Sequence, residues 1–149
     1  MDPIGRYLIR VAASSALVLL PLTVAAQSFD GTYDGTIHCG LSTDAKRVWE
    51  SPFRLTVEDG EARYERPILR YGQSTGVYER GGGTVTASGK VGLAGRAHGT
   101  SYVFDAQYQG ELTEDTAQLV GTQLWYIRDD AAGSERSCRI NLMRVPGMS

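Results

Sequence analysis

The chain has 149 residues, of which 15 are basic and 17 acidic, for a formal charge of −2 at pH 7. Near-neutrality, with no basic run longer than Lys46-Arg47, argues against a nucleic-acid footprint. The only cysteines, Cys39 and Cys138, lack the C-x-x-C spacing of a redox pair or a zinc site.

Residues 1–26 read as a cleaved secretory signal peptide. Arg6 and Arg10 form a positive start, Val11–Leu20 an apolar run, and Val24-Ala25-Ala26 the small residues that a signal peptidase requires. The run is short and interrupted by Ser14, Ser15 and Pro21, so no stable membrane span is expected after cleavage. Residues 27–149 are then a single β domain in an oxidising compartment, periplasmic or secreted. Two thiols in such a compartment are expected to form one disulfide, Cys39–Cys138.

From residue 29 on, hydrophobicity alternates instead of repeating every three to four residues. In the first strand Tyr33, Gly35, Ile37 and Cys39 share a face. Phe53, Leu55 and Val57 alternate against Arg54 and Thr56, Asp59-Gly60 marks a hairpin, and "ARYER" returns from it. Pro67 is expected at a strand end or an edge. "GTVTASGKVGLAG" (83–95) and "GELTEDTAQLVG" (110–121) share the form of a hairpin. Between them Tyr102, Phe104, Ala106, Tyr108, Gly110 and Leu112 lie on one face of a strand. Trp125 reads as core or barrel-end packing, and in the last strand Cys138, Ile140 and Leu142 share a face opposite Arg139 and Asn141.

The expected fold is all-β, a small antiparallel meander closed into a β-barrel, with a β-sandwich as the alternative. Both cysteines fall on the core-facing parity. If first and last strands are antiparallel neighbours, Cys39 opposes Cys138, Ile37 opposes Ile140 and Gly35 opposes Leu142, which closes a barrel. Across a sandwich, the same parity allows an inter-sheet bridge.

Catalytic templates are missing: there is no G-x-S-x-G, H-E-x-x-H or Walker loop. His38 and His98 read as separate surface residues, and "RDDAAGSE", with Asp129, Asp130 and Glu135, lacks the spacing of a calcium loop. No catalytic residue, metal or cofactor is expected. Recognition is better represented. The stretch "RYGQSTGVYER" (70–80) reads as a loop mixing tyrosine, arginine, serine and glycine, a composition suited to protein contacts. Arg70, Tyr71, Ser74, Gly76 and Tyr78 are its candidate binding residues, and Trp49 is a second contact or a lid on the core.

The motifs "DGTYDGTIHC", "SPFRLTVEDGEARYER" and "CRINLMR" resemble small secreted β-rich proteins of Gram-negative bacteria, a resemblance that implies a compartment and a fold. More loosely, "STGVY" resembles the S-G-x-x-Y segment of periplasmic lysozyme inhibitors, with a threonine inserted. That likeness implies that Ser74, Gly76 and Tyr78 would enter the lysozyme cleft. The expected function is non-enzymatic binding of an unknown protein or small molecule through residues 70–80. The alternatives are a periplasmic lysozyme inhibitor and a lipocalin-like carrier of a small apolar ligand.

Overall fold

The computed structural model describes residues 28–40, 48–127 and 133–147. The signal segment 1–26 and the acidic pair Asp129 and Asp130 lie outside them. Eight antiparallel strands run in chain order: β1 (Gly31–Gly40), β2 (Val48–Glu58), β3 (Glu61–Arg70), β4 (Gln73–Val85), β5 (Lys90–His98), β6 (Tyr102–Leu112), β7 (Thr116–Ile127) and β8 (Ser134–Arg144). Each pairs with the next, and β8 pairs with β1, closing the barrel. Closure gives every strand a neighbour on both sides, although the β2–β3 ladder stops at Arg54–Glu65 and the β4–β5 ladder at Arg80–Arg96.

The register at the seam sets Cys39 opposite Cys138, Ile37 opposite Ile140 and Gly35 opposite Leu142. Cys39 and Cys138 are bonded, so the disulfide joins the first strand to the last. The two stretches with the shared hairpin form are the β4–β5 and β6–β7 hairpins. Asp59-Gly60 makes a two-residue turn between Glu58 and Glu61 with φ of 52° and 77°, the left-handed pair that Asp-Gly favours.

Pro67 does not end its strand. It pairs with Tyr78, and the register slips between Pro67 and Leu69, so that Thr75, Gly76 and Val77 of β4 stand against Ile68 alone. Thr75 closes this bulge by donating its hydroxyl to the Ile68 carbonyl at 2.7 Å, and Gly76, at φ 74°, makes the bend. The stretch expected as a loop is therefore mostly strand. Arg70 ends β3, Tyr71-Gly72 is a tight turn, and residues 73–80 belong to β4.

Alternate residues point inward, and the interior divides into two levels. Toward the β2–β3, β4–β5 and β6–β7 turns it is filled with apolar side chains. Phe53 and Tyr64 stack at 4.8 Å, Tyr108 meets both edge-on, and Phe29 covers this end, its carbonyl accepting the Tyr33 hydroxyl at 2.9 Å. Each fully buried large side chain of this kind stabilises by roughly 1.5–3 kcal/mol. Outside, the wall carries the ion pairs Arg54–Asp34, Arg80–Glu65 and Arg96–Asp105. An apolar interior within a charged wall is the reverse of a barrel that spans a lipid bilayer.

Candidate functional site: a polar floor beneath an aromatic-walled cavity

Besides Ser51 on β2, the inward parity carries four polar residues where alternation calls for apolar ones. On β3 it runs Ala62, Tyr64, Arg66, Ile68; on β4, Val77, Glu79, Gly81; on β7, Leu119, Gly121, Gln123, Trp125; and on β8, Arg136, Cys138, Ile140. These polar side chains meet at mid-height.

Glu79 is their centre and is fully buried. Its Oε1 accepts the hydroxyls of Tyr64 at 2.9 Å and Tyr108 at 2.8 Å. Its Oε2 accepts Arg66 Nη2 at 2.7 Å, Arg66 Nε at 3.1 Å and Gln123 Nε2 at 2.9 Å. Every partner is a donor, as an ionised carboxylate requires. Arg66 spends its remaining nitrogen on Ser51 Oγ at 3.2 Å. Gln123 also donates to the Tyr108 hydroxyl at 2.6 Å and accepts from Arg136 Nε at 2.7 Å, which fixes the orientation of its amide.

Small residues make room for this cluster. Tyr64 lies across Gly81 and Gly95, and a Cβ at Gly95 would collide with the Tyr64 hydroxyl. Burial, with the Glu79 carboxylate next in importance, pushes the Tyr64 and Tyr108 phenols far above their usual range. Burial alone would lower the Arg66 guanidinium, and the Glu79 charge and hydrogen bond, together with Tyr108 and Tyr64, more than reverse that. At Arg136 the Tyr108 and Glu79 contributions do not outweigh burial. Burial, then the nearby Arg66 charge, pushes it down to about 10.

Above this floor, at the end that holds the disulfide, lies a cavity of about 670 Å³. Its walls include Trp49, Ile68, Val77, Tyr102, Phe104 and Trp125. Arg66 and Arg136 reach it from below, the Arg136 guanidinium 5.2 Å from the centre of the Phe104 ring. Two connections at this end, 41–47 and 128–132, lie outside the described residues.

Of the residues expected to bind, Trp49 and Arg70 line this cavity. Tyr71, Ser74, Gly76 and Tyr78 do not; they are exposed on the β3–β4 turn and the outer side of β4. Tyr71 stands beside Arg70, and Tyr78 beneath the Arg80 guanidinium at 5.3 Å. His38 faces outward, 3.7 Å from Glu50, and His98 is exposed at the end of β5. The cluster around Glu79 escaped sequence reasoning. Its signal was parity: Arg136 lies two residues before Cys138, on the face already assigned to the core.

Chemically, the floor presents donors. Glu79 is sealed beneath five of them and has no exposed oxygen to exchange a proton with a molecule in the cavity. Comparison of the chain with protein-family models, curated proteins and solved structures finds no significant match.

Proposed function

We propose that the protein is a non-enzymatic carrier, periplasmic or secreted, that holds a small and mostly apolar molecule inside its barrel. The observation that carries this reading is the cavity: about 670 Å³, walled by aromatic and aliphatic side chains and floored by a few fixed polar groups. Binding sites for small molecules combine those features in that size range. The disulfide suits an oxidising compartment.

Protein recognition by the β3–β4 hairpin is the second reading. Tyr71 favours it, being 74% exposed and held at a positive φ of 53°, a conformation that a bulky residue rarely adopts without reason. The lysozyme-inhibitor form of that reading would have to work from a bulged strand, since "STGVY" belongs to β4.

Trp49 and Trp125 are the only tryptophans of the chain, and both line the cavity. Titration with 1-dodecanol should therefore change tryptophan emission saturably, and Tyr71→Ala should leave that change intact. A wild-type protein unresponsive to the alcohol and to its charged analogues alike would remove the carrier reading.

A further inference from the structure

We propose that the molecule carried is a monoanionic amphiphile whose carboxylate head rests on Arg136 while its apolar body fills the cavity. The inference rests on the carrier reading and adds the charge and orientation of the ligand.

The two arginines of the floor differ in what they have left to give. Arg66 is saturated, with two nitrogens on Glu79 and the third on Ser51. Arg136 donates only through Nε, to Gln123, and its Nη1 and Nη2 donate to no described residue. Among the described residues no carboxylate pairs with it, although its side chain is half-buried beneath an apolar chamber. Glu79 pairs with Arg66, so among the described residues one positive charge remains at the floor. The other acid on the cavity wall, Glu50, stands at the rim beside His38.

An uncompensated buried cation costs free energy until an anion reaches it. The lowered guanidinium of Arg136 is the mark of that cost. Because a single charge is unbalanced, a singly charged head fits. Because a guanidinium presents paired N–H groups in a plane, a carboxylate fits best. The aromatic and aliphatic walls select an apolar body behind that head.

The test compares dodecanoate, 1-dodecanol and dodecylamine by tryptophan emission, on the wild-type protein and on Arg136→Met. Wild type should bind dodecanoate about tenfold or more tightly than the alcohol, as expected for a charge-assisted hydrogen bond in a desolvated site. Arg136→Met should lose the preference for the acid over the alcohol. Equal affinity of wild type for acid and alcohol, or a preference that survives Arg136→Met, would overturn the inference. If that variant does not fold, the amine decides on the wild-type protein. It should bind at least tenfold more weakly than the alcohol, and binding as tight as the alcohol would refute a cationic floor. Silence toward all three probes would instead refute the carrier reading itself.

Discussion

Arg66 Nη2 and Glu79 Oε2 meet at 2.7 Å within the barrel, their side chains 5% and 0% exposed, on neighbouring strands β3 and β4. Pairs this deeply buried gain strong Coulomb attraction but surrender the hydration of both ions, so their net worth depends on how fully the remaining lone pairs and protons are satisfied. Here satisfaction is complete: no buried side-chain nitrogen or oxygen among the described residues lacks a partner. The pair separates a packed apolar end of the barrel from a cavity at the other end, and it sets the height of the cavity floor.

Breaking the pair from one side should cost far more than replacing it. Glu79→Leu leaves Arg66 buried and uncompensated, a loss of about 3–5 kcal/mol. The double variant Arg66→Met/Glu79→Leu removes both charges and should recover a large part of that loss. Urea denaturation of the single and double variants measures the difference. A double variant no more stable than Glu79→Leu would show that the hydroxyl and amide partners, rather than the ion pair, dominate.

The buried phenols predict an alkaline limit. Tyr64 and Tyr108 are raised in the folded chain by burial and then by Glu79, so the stability they contribute is complete below the unfolded value of about 10 and is lost as pH rises beyond it. Arg136 acts in the opposite sense. Held down to about 10 by burial and Arg66, it releases its proton from the folded chain first, and its share of stability grows above that pH. Two phenols against one guanidinium leave a net decline. In an ultraviolet titration, Tyr64 and Tyr108 should ionise only as the barrel unfolds, and Tyr108→Phe should flatten the loss of stability above pH 10.

Tyr71 should be replaceable without loss. The Tyr71-Gly72 turn has the same pair of positive φ angles as Asp59-Gly60, but places a bulky residue where asparagine or aspartate is usual. A left-handed non-glycine residue costs roughly 1–2 kcal/mol, and asparagine carries less of that. The ring lies 5.6 Å from the Arg70 guanidinium, an exposed contact worth about 0.5–1 kcal/mol that asparagine would forfeit. Tyr71→Asn should therefore be neutral to mildly stabilising, by up to about 0.5 kcal/mol, in denaturant melts. A destabilised variant would show that Tyr71 makes a contact stronger than its exposure implies.

The disulfide clasps a seam that is already hydrogen-bonded along β1 and β8. Its cysteines are 99 residues apart, for which the chain-entropy account gives about 4–5 kcal/mol at most. Cys39→Ala/Cys138→Ala should lose about 2–5 kcal/mol yet keep the strand signature in circular dichroism, because strand pairing closes the barrel with or without the bond. An unfolded double variant would make the bond a condition of closure.

Alternation placed most of the strands and their inward faces, because half-buried strands must repeat every second residue, and the shared inward parity of the cysteines gave the seam register on the condition that the first and last strands pair. Two features were not legible. Residues 70–80 looked like a loop because they are rich in glycine, serine and tyrosine, yet the Thr75 hydroxyl bridging to Ile68 lets the ladder continue through a bulge. Arg66, Glu79, Gln123 and Arg136 come from four separate strands, up to 70 residues apart in the chain (Arg66 to Arg136), and single-strand patterns treat each as an exception. Only closure shows that the exceptions meet, each satisfying another. Trp49 was a contact candidate for its size and faces the cavity for its parity.

The most direct test of the carrier account is a nuclear magnetic resonance titration of the full domain with dodecanoate. The account predicts saturable shifts of the Trp49 and Trp125 indole N–H and the Arg136 Nε–H resonances, with Tyr33 and Leu142 at the packed end unmoved. Shifts confined to Tyr71 and Tyr78 on the hairpin, or no shifts at all, would contradict it.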